Sequence, residues 1–308
     1  MPAGEMGTSL IQEHVLVDFI GADSTGYHRW NRTEVEERAL PFLMEAKQRG
    51  VKTFIDCTPA YLGRDPVLLR ELSEKTGMNI LTNTGYYGAR NNQFIPGSAL
   101  NASAEDIARV WIKEYEHGIE GTGIYPGFIK ISVDRDSVLS SMHAKLVKAA
   151  AIAHKATGLT IVSHTGTDAP AFAQLKILLD EGVSADAFVW THAQQGTLDG
   201  YRKAAKMGAW ISLDNVNQDN PGKPGGIDWM VGVLTKLKED GLLHKVLISH
   251  DAGWYNVGQE NGGRFRGYND IFDHLVPALK SSGFSSDDIE RVLSMNPQTA
   301  YAIKIRKP

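Results

Sequence analysis

Short apolar, β-rich runs recur along the chain at near-regular intervals: Ser9–His14, Lys52–Thr58, Asn79–Gly85, Gly127–Ser132, Thr160–Thr165, Ala187–His192, Ala209–Asp214 and Lys245–Asp251. Between most of them, apolar positions are spaced as in helices: Arg32–Arg49, Pro66–Lys75, Ala104–His117, Ser137–Thr157, Ala169–Glu181, Gly200–Lys206 and Trp229–Asp240. Gly50, Gly77, Gly158, Gly182, Gly208 and Gly241 close these helices. Alternating strand and helix predicts a parallel α/β sheet, and eight units predict closure into a (β/α)8 TIM barrel. A last helix is expected from about Ser285 to Met295, ending at Asn296-Pro297. No linker or composition shift divides the chain, so residues 1–308 read as one domain. The segments Tyr87–Ser103, Asn215–Gly226 and Trp254–Gly267 follow strands and are expected to roof the mouth at the strands' C-terminal ends.

Composition narrows the class. With 308 residues, 42% of them hydrophobic and 22% charged, the chain is globular and long enough for a barrel. A formal net charge of -4 with no long basic run argues against nucleic acid and membrane partners. No apolar run approaches the ~20 residues that span a bilayer. The single Cys57 excludes an internal disulfide and a polythiolate zinc site, and its expected state is a buried inert thiol. The start, MPAGEMGTSLIQEH, has neither a charged n-region nor an apolar h-region. The compartment therefore stays open: cytoplasmic as the chain stands, or exported with a signal peptide already removed. A Gly-x-Ser-x-Gly elbow is missing, which argues against a serine hydrolase. Gly262-Gly263 and Pro221–Gly226 lack phosphate-loop spacing.

The chemistry lies at the strand ends. Strand one finishes Gln12-Glu13-His14, four Phe128-Ile129-Lys130, five Ser163-His164-Thr165, six Thr191-His192-Ala193 and eight Ser249-His250-Asp251. A lone histidine at a strand end is by default a hydrogen-bonded structural residue. His14, His164, His192, Lys130 and Asp251 together on one rim are hard to explain that way, and neutral imidazole with carboxylate is a ligand set for zinc and similar ions. Lys130 sits in an apolar run, where burial disfavours its charge. It either points outward to water or reacts with carbon dioxide to give a carbamate anion.

These residues bring a family into view. The chain resembles the phosphotriesterase family of the amidohydrolase superfamily through Gly7-Thr8-Ser9-Leu10-Ile11-Gln12-Glu13-His14, Asp56-Cys57-Thr58-Pro59 and Gly63-Arg64-Asp65-Pro66. The likeness continues through Thr84-Gly85-Tyr86-Tyr87, Gly127-Phe128-Ile129-Lys130, Ser163-His164-Thr165, Ser249-His250-Asp251 and Asn296-Pro297. The resemblance implies two divalent metal ions, expected to be Zn2+ with Mn2+ as the alternative, bridged by N6-carboxylysine at Lys130. One ion would use strand one, Asp251 and the modified lysine; the other would use His164, His192 and the same lysine. It also implies a homodimer. The expected reaction is hydrolysis of a lactone or related carboxylic ester, with phosphotriester or phosphodiester hydrolysis as the alternative. Asp251 and Lys130 are the expected catalytic residues, Asp251 taking the proton from the attacking water. His250 either relays that proton or is only a hydrogen-bonding neighbour.

Two positions depart from the family pattern. Gln12 stands where the family has the first histidine of His-x-His, and an amide oxygen is a weak ligand for zinc. Gln12 either ligates weakly, leaves the first site depleted, or favours a harder ion such as manganese; a degenerate, non-catalytic metal-binding barrel is the limiting case. After His192, Ala193-Gln194-Gln195 lacks the aspartate of many relatives, which bears on substrate class. For substrate contacts the sequence offers Tyr86 and Tyr87, which end strand three, and Arg264 and Arg266 in a mouth loop, suited to an anionic group. Each also has an ordinary structural role open to it.

Overall fold

The computed structural model describes residues 2–135 and 138–308. Its strands are β1 (Ser9–Val17), β2 (Thr53–Asp56), β3 (Asn79–Leu81), β4 (Asn83–Thr84), β5 (Phe128–Ser132), β6 (Ile161–His164), β7 (Phe188–Thr191), β8 (Trp210–Leu213), β9 (Val246–Ile248) and β10 (Gly253–Asn256). They pair in parallel in the orders β10-β1-β2-β3 and β4-β5-β6-β7-β8-β9. Only Thr82 separates β3 from β4, so these are two halves of one barrel stave. The other junction lies between β9 and β10, where Asp251 N donates to Gln12 O at 3.0 Å and His14 N to Ala252 O at 2.9 Å.

One apolar side chain from each stave meets inside the ring: Ile11, Ile55, Leu81, Phe128, Val162, Val189, Trp210 and Leu247, with Tyr301 packed edge-on against Phe128. This is the filled interior of a TIM barrel, and it explains why every predicted strand carried an apolar run. The opposite strand faces pack on the helices α1 (Arg32–Gln48), α2 (Pro66–Thr76), α3 (Gly97–Leu100), α4 (Ala104–His117), α5 (Ser141–Thr157), α6 (Asp168–Asp180), α7 (Leu198–Met207), α8 (Ile227–Glu239), α9 (Val276–Ser281) and α10 (Ser286–Glu290), while α11 (Asn296–Tyr301) packs on the interior layer through Ala300 and Tyr301.

The expected start of α5 at Ser137 falls outside the described residues; the helix begins at Ser141, capped by the Ser140 side chain accepting from His143 N. The terminal helix does not stop at Asn296-Pro297 but continues to Tyr301, and α9 falls between the last two predicted helices, where none was expected. Both contain a proline after a π-helical turn, Ile271–Leu275 before Pro277 and Arg291–Met295 before Pro297. The widened turn makes room where a proline ring would crowd the preceding carbonyls, so the proline starts a new segment instead of ending one. Among the described residues no helix is long and apolar enough to cross a membrane.

Candidate active site

The ladder between β1 and β2 slips between Leu10 and Glu13. The amides of Ile11 and Gln12 both donate to the Ser249 hydroxyl, each at 3.0 Å. A one-residue slip changes the face to which the following residues point. Ile11 thus stays in the interior layer while Gln12 and His14 line the cavity above it. On β5 plain alternation does the same work: Phe128 is interior, Lys130 lies above it, and Ile129 and Ile131 face the helices. His164 follows Val162 on β6 by the same rule. On β7, Trp190 packs outward, and strict alternation would send His192 with it. His192 instead takes φ 58°, which turns its ring back into the cavity, and Asp251 has φ 52°. Left-handed backbone at residues with a Cβ costs about 1–2 kcal/mol each, and such strain concentrates where function needs it.

Gln12, His14, Lys130, His164, His192 and Asp251 all line one cavity of about 220 Å³. Thr58 Oγ1 donates to Leu16 O at 3.0 Å, so it accepts from His14 Nδ1 at 2.8 Å. His14 Nε2 is left as a lone pair 3.2 Å from Asp251 Oδ1. His192 Nδ1 donates to Asp214 Oδ1 at 2.7 Å, and its backbone amide to Asp214 Oδ2 at 3.0 Å, so Nε2 is again the free nitrogen. Asp214, fully buried, also accepts from the Ser212 hydroxyl at 2.7 Å. The His164 and His192 rings stand edge to face at 4.4 Å. Lys130 Nζ, 1% exposed, donates to Gln12 Oε1 at 2.8 Å, and Gln12 Nε2 lies 3.3 Å from His14 Nε2.

Electrostatics favour the donor forms of His164 and Asp251 and act the other way on His192. Burial, His192 and Lys130 all push His164 well below the usual imidazole range, so it is neutral at pH 7. Burial acts against the Asp251 charge, but His192 and His14 outweigh it and hold the carboxyl ionised. Burial likewise lowers His192, while Asp214 and Asp251 more than offset it and leave a net upward shift. Among the described residues no three His, Cys, Asp or Glu side chains converge closely enough by themselves to hold an ion. They stand instead as two pairs, His14–Asp251 and His164–His192, with Lys130 tied to the first through Gln12. The donor chemistry fits divalent metal: two electron-rich atoms facing each other at 3.2 Å call for a cation between them, and an oxygen anion on Lys130 would add the acidic donor that the pairs lack.

A sequence model of the phosphotriesterase family matches residues 1–301. The chain belongs to that family. Over 96% of its length it is 29% identical to the phosphotriesterase homology protein of Escherichia coli, covering 98% of that protein. It is also 29% identical to an aryldialkylphosphatase of Saccharolobus solfataricus, with 97% of this chain and 96% of the relative covered. An N-acetyltaurine hydrolase of Xenopus tropicalis is 26% identical over 85% of this chain and 76% of the relative. The crystal structure of the Escherichia coli homology protein, complexed with phosphate in its active site, superposes with a TM-score of 0.81 at 25% identity, covering 96% of this chain and 99% of that one. Members of the family are hydrolases, and they generally use a divalent metal.

Of the four substrate candidates, the cavity of this phosphotriesterase-family chain is lined by Tyr87 alone. The Tyr87 hydroxyl lies 3.2 Å from His164 Nδ1. Tyr86 is buried against Trp111 and Tyr61, away from the cavity. Arg264 is exposed, 3.7 Å from Asp219. Arg266 is a strut, donating to the carbonyls of His250 and Val216. His250 is fully buried between Glu13, which accepts from its Nδ1 at 2.8 Å, and Ile271, whose amide donates to its Nε2 at 3.1 Å, so it has no nitrogen left to relay a proton. Cys57 is buried in the interior layer, where burial pushes its thiol well up, as an inert thiol requires. Of the three loops expected over the mouth, the segments at Tyr87 and Trp254 contribute to the cavity and Asn215–Gly226 does not. Phe19, Arg90, Asp134 and Arg135 line it without having been singled out from sequence.

Proposed function

We propose that the chain is a metal-dependent hydrolase that opens a lactone or related carboxylic ester. The observation that carries this reading is the convergence of Gln12, His14, Lys130, His164, His192 and Asp251 on one small cavity at the mouth. His164 and His192, with a Lys130 carbamate, would hold one ion; His14, Asp251 and more weakly Gln12 would hold the other. Such ions polarise a substrate carbonyl and make water acidic near neutral pH. Asp251, ionised and 3.2 Å from the His14 Nε2 lone pair, would receive the proton of the attacking water and return it to the departing alkoxide. Over the cycle the water oxygen bonds to the acyl carbon, the acyl C–O bond breaks, and the proton ends on the leaving oxygen. Tyr87, with its hydroxyl beside His164, can donate to a substrate oxygen. Asp214 and Thr58 hold His192 and His14 in the tautomers that leave Nε2 free.

Phosphoester hydrolysis is the second reading, supported by the aryldialkylphosphatase relative and by the phosphate in the Escherichia coli structure. The test is turnover of zinc- and manganese-supplemented protein on a γ-lactone, a 4-nitrophenyl ester and diethyl 4-nitrophenyl phosphate, with metal counted by elemental analysis. About two ions per chain with lactone or ester turnover supports the first reading. Turnover of the phosphate alone favours the second, and no metal with no turnover sinks both.

A further inference from the structure

The cavity changes character from base to rim. Above the polar base the lining is apolar: Val17, Phe19, Leu62, Ala89, Val133 and Trp254. Trp254 lies 4.8 Å from the His14 ring and 5.7 Å from Phe19, and the Arg90 guanidinium stacks over Phe19 at 4.7 Å, so one continuous wall runs from a base imidazole to a rim cation. Arg135 and Asp134 complete the rim. Among the described residues neither guanidinium is paired with a carboxylate side chain.

The position of Arg90 is built into the fold. Arg90, Asn91 and Asn92 take consecutive left-handed φ values of 59°, 57° and 62°, a run that residues with a Cβ avoid. The turn is held by Arg90 N donating to Asp134 Oδ1 at 2.8 Å, Asn92 N to Gly88 O at 3.0 Å and Ala22 N to Gln93 O at 3.0 Å. Asp134 accepts from the Arg90 amide and lies 3.7 Å from His143 Nε2, and the three rim side chains set two guanidiniums against its one carboxylate, a net positive charge. A strained turn stabilised by this many partners, under a side chain that enters no core, marks a functional constraint.

We propose that Arg90 and Arg135 read an anionic group on the substrate, a carboxylate or an oxyanion of similar charge, separated by a short apolar spacer from the bond broken at the base. The inference rests on the hydrolase reading for that bond. A cavity of about 220 Å³ limits the molecule to a small one, below the ~300–1,000 Å³ usual for drug-sized ligands. Guanidinium groups are suited to planar oxyanions and stay charged at every working pH.

The test uses the zinc-supplemented full chain with two chromogenic esters of similar length, mono-4-nitrophenyl glutarate and 4-nitrophenyl butyrate. The wild type should favour the glutarate ester by about tenfold or more in kcat/KM, the scale of one charge-assisted contact. In R90Q/R135Q the ratio should fall to near one, through KM, while Arg90→Lys should retain part of it. An unchanged ratio in the double variant, or a wild type that prefers butyrate, overturns the proposal. If neither ester is turned over, the hydrolase reading fails on its own, and calorimetry with glutaramate, which keeps one carboxylate, against uncharged butyramide still decides the rim. Tighter glutaramate binding that the double variant loses supports it; equal binding, or none, overturns it.

Discussion

At Gln12 one amide does two things at once: its oxygen accepts from Lys130, and its nitrogen lies 3.3 Å from His14 Nε2. Both contacts occupy groups that a metal site would use, so the amide is a competitor as well as a weak ligand. Replacing Gln12→His should therefore raise zinc affinity by about tenfold or more, read by competition with a chromogenic chelator, and keep hydrolysis. Loss of both affinity and activity would mean that the surroundings are fitted to the amide. Asp214 tests the other pair. It accepts from His192 at Nδ1 and at the backbone amide, so Asp214→Asn replaces an acceptor by a donor beside N–H groups. Zinc affinity should fall by about 10–100-fold, the usual effect of removing the carboxylate behind a ligand histidine, and unchanged affinity would remove Asp214 from the site.

The elements that hold these residues are joined by close backbone approaches. Glu13 Oε1 accepts from the Ser249 hydroxyl and from the His250 amide and Nδ1, and Oε2 from the Ala252 amide, so one buried carboxylate on β1 fastens the segment that presents Asp251. Between β4 and β5 the approach is closer: a Cβ at Gly85, where φ is +128°, would lie 1.9 Å from Lys130 O. Gly85→Ala should push the staves apart at Lys130, costing about 3 kcal/mol or more in denaturant unfolding through strain and a lost ladder contact. A cost under 1 kcal/mol would show that the ladder tolerates the displacement. These same elements explain what was readable in advance. The strands could be read because each stave carries one interior apolar residue, and Lys130 and His164 follow from alternation on β5 and β6. The slip in β1 and the left-handed turns at His192 and Asp251 could not, since their partners lie far away along the chain: Ser249 for β1, Asp214 for His192 and Gln12 for Asp251. Loop arginines were the weakest ground. Arg266 turns out to brace the His250 carbonyl, whereas Arg90 reaches the rim through a turn whose only local sign is Asn91-Asn92, residues that tolerate positive φ.

Across the whole molecule the two ends of the barrel differ. The mouth holds the strained, polar residues, while the opposite end is closed by Tyr301 and by the final segment folded back on α5. There Arg306 N donates to His154 Nε2 at 3.0 Å, and His154 Nδ1 donates to Leu159 O at 2.8 Å. Both ring nitrogens are thus committed in the neutral form. Burial, with the Arg306 charge adding to it, holds His154 below the ordinary 6.5. In the unfolded chain the ring regains that ordinary value, so between the two the unfolded state binds more protons than the folded one. Stability from His154 is therefore fully present above about pH 6.5 and is lost as pH falls through the folded value, with a slope of at most about 1.4 kcal/mol per pH unit for one proton. Between pH 7.5 and 5.5 the urea midpoint of the wild type should lose ground relative to that of His154→Asn, which lacks a titrating ring and should start from a lower midpoint at pH 7.5. His164, lowered as well, contributes with the same sign from the mouth, and His192 and Asp56, both raised, with the opposite sign, so the difference between wild type and variant isolates the closed end. A variant that keeps the full wild-type slope would move the acid-sensitive group away from the C-terminal anchor.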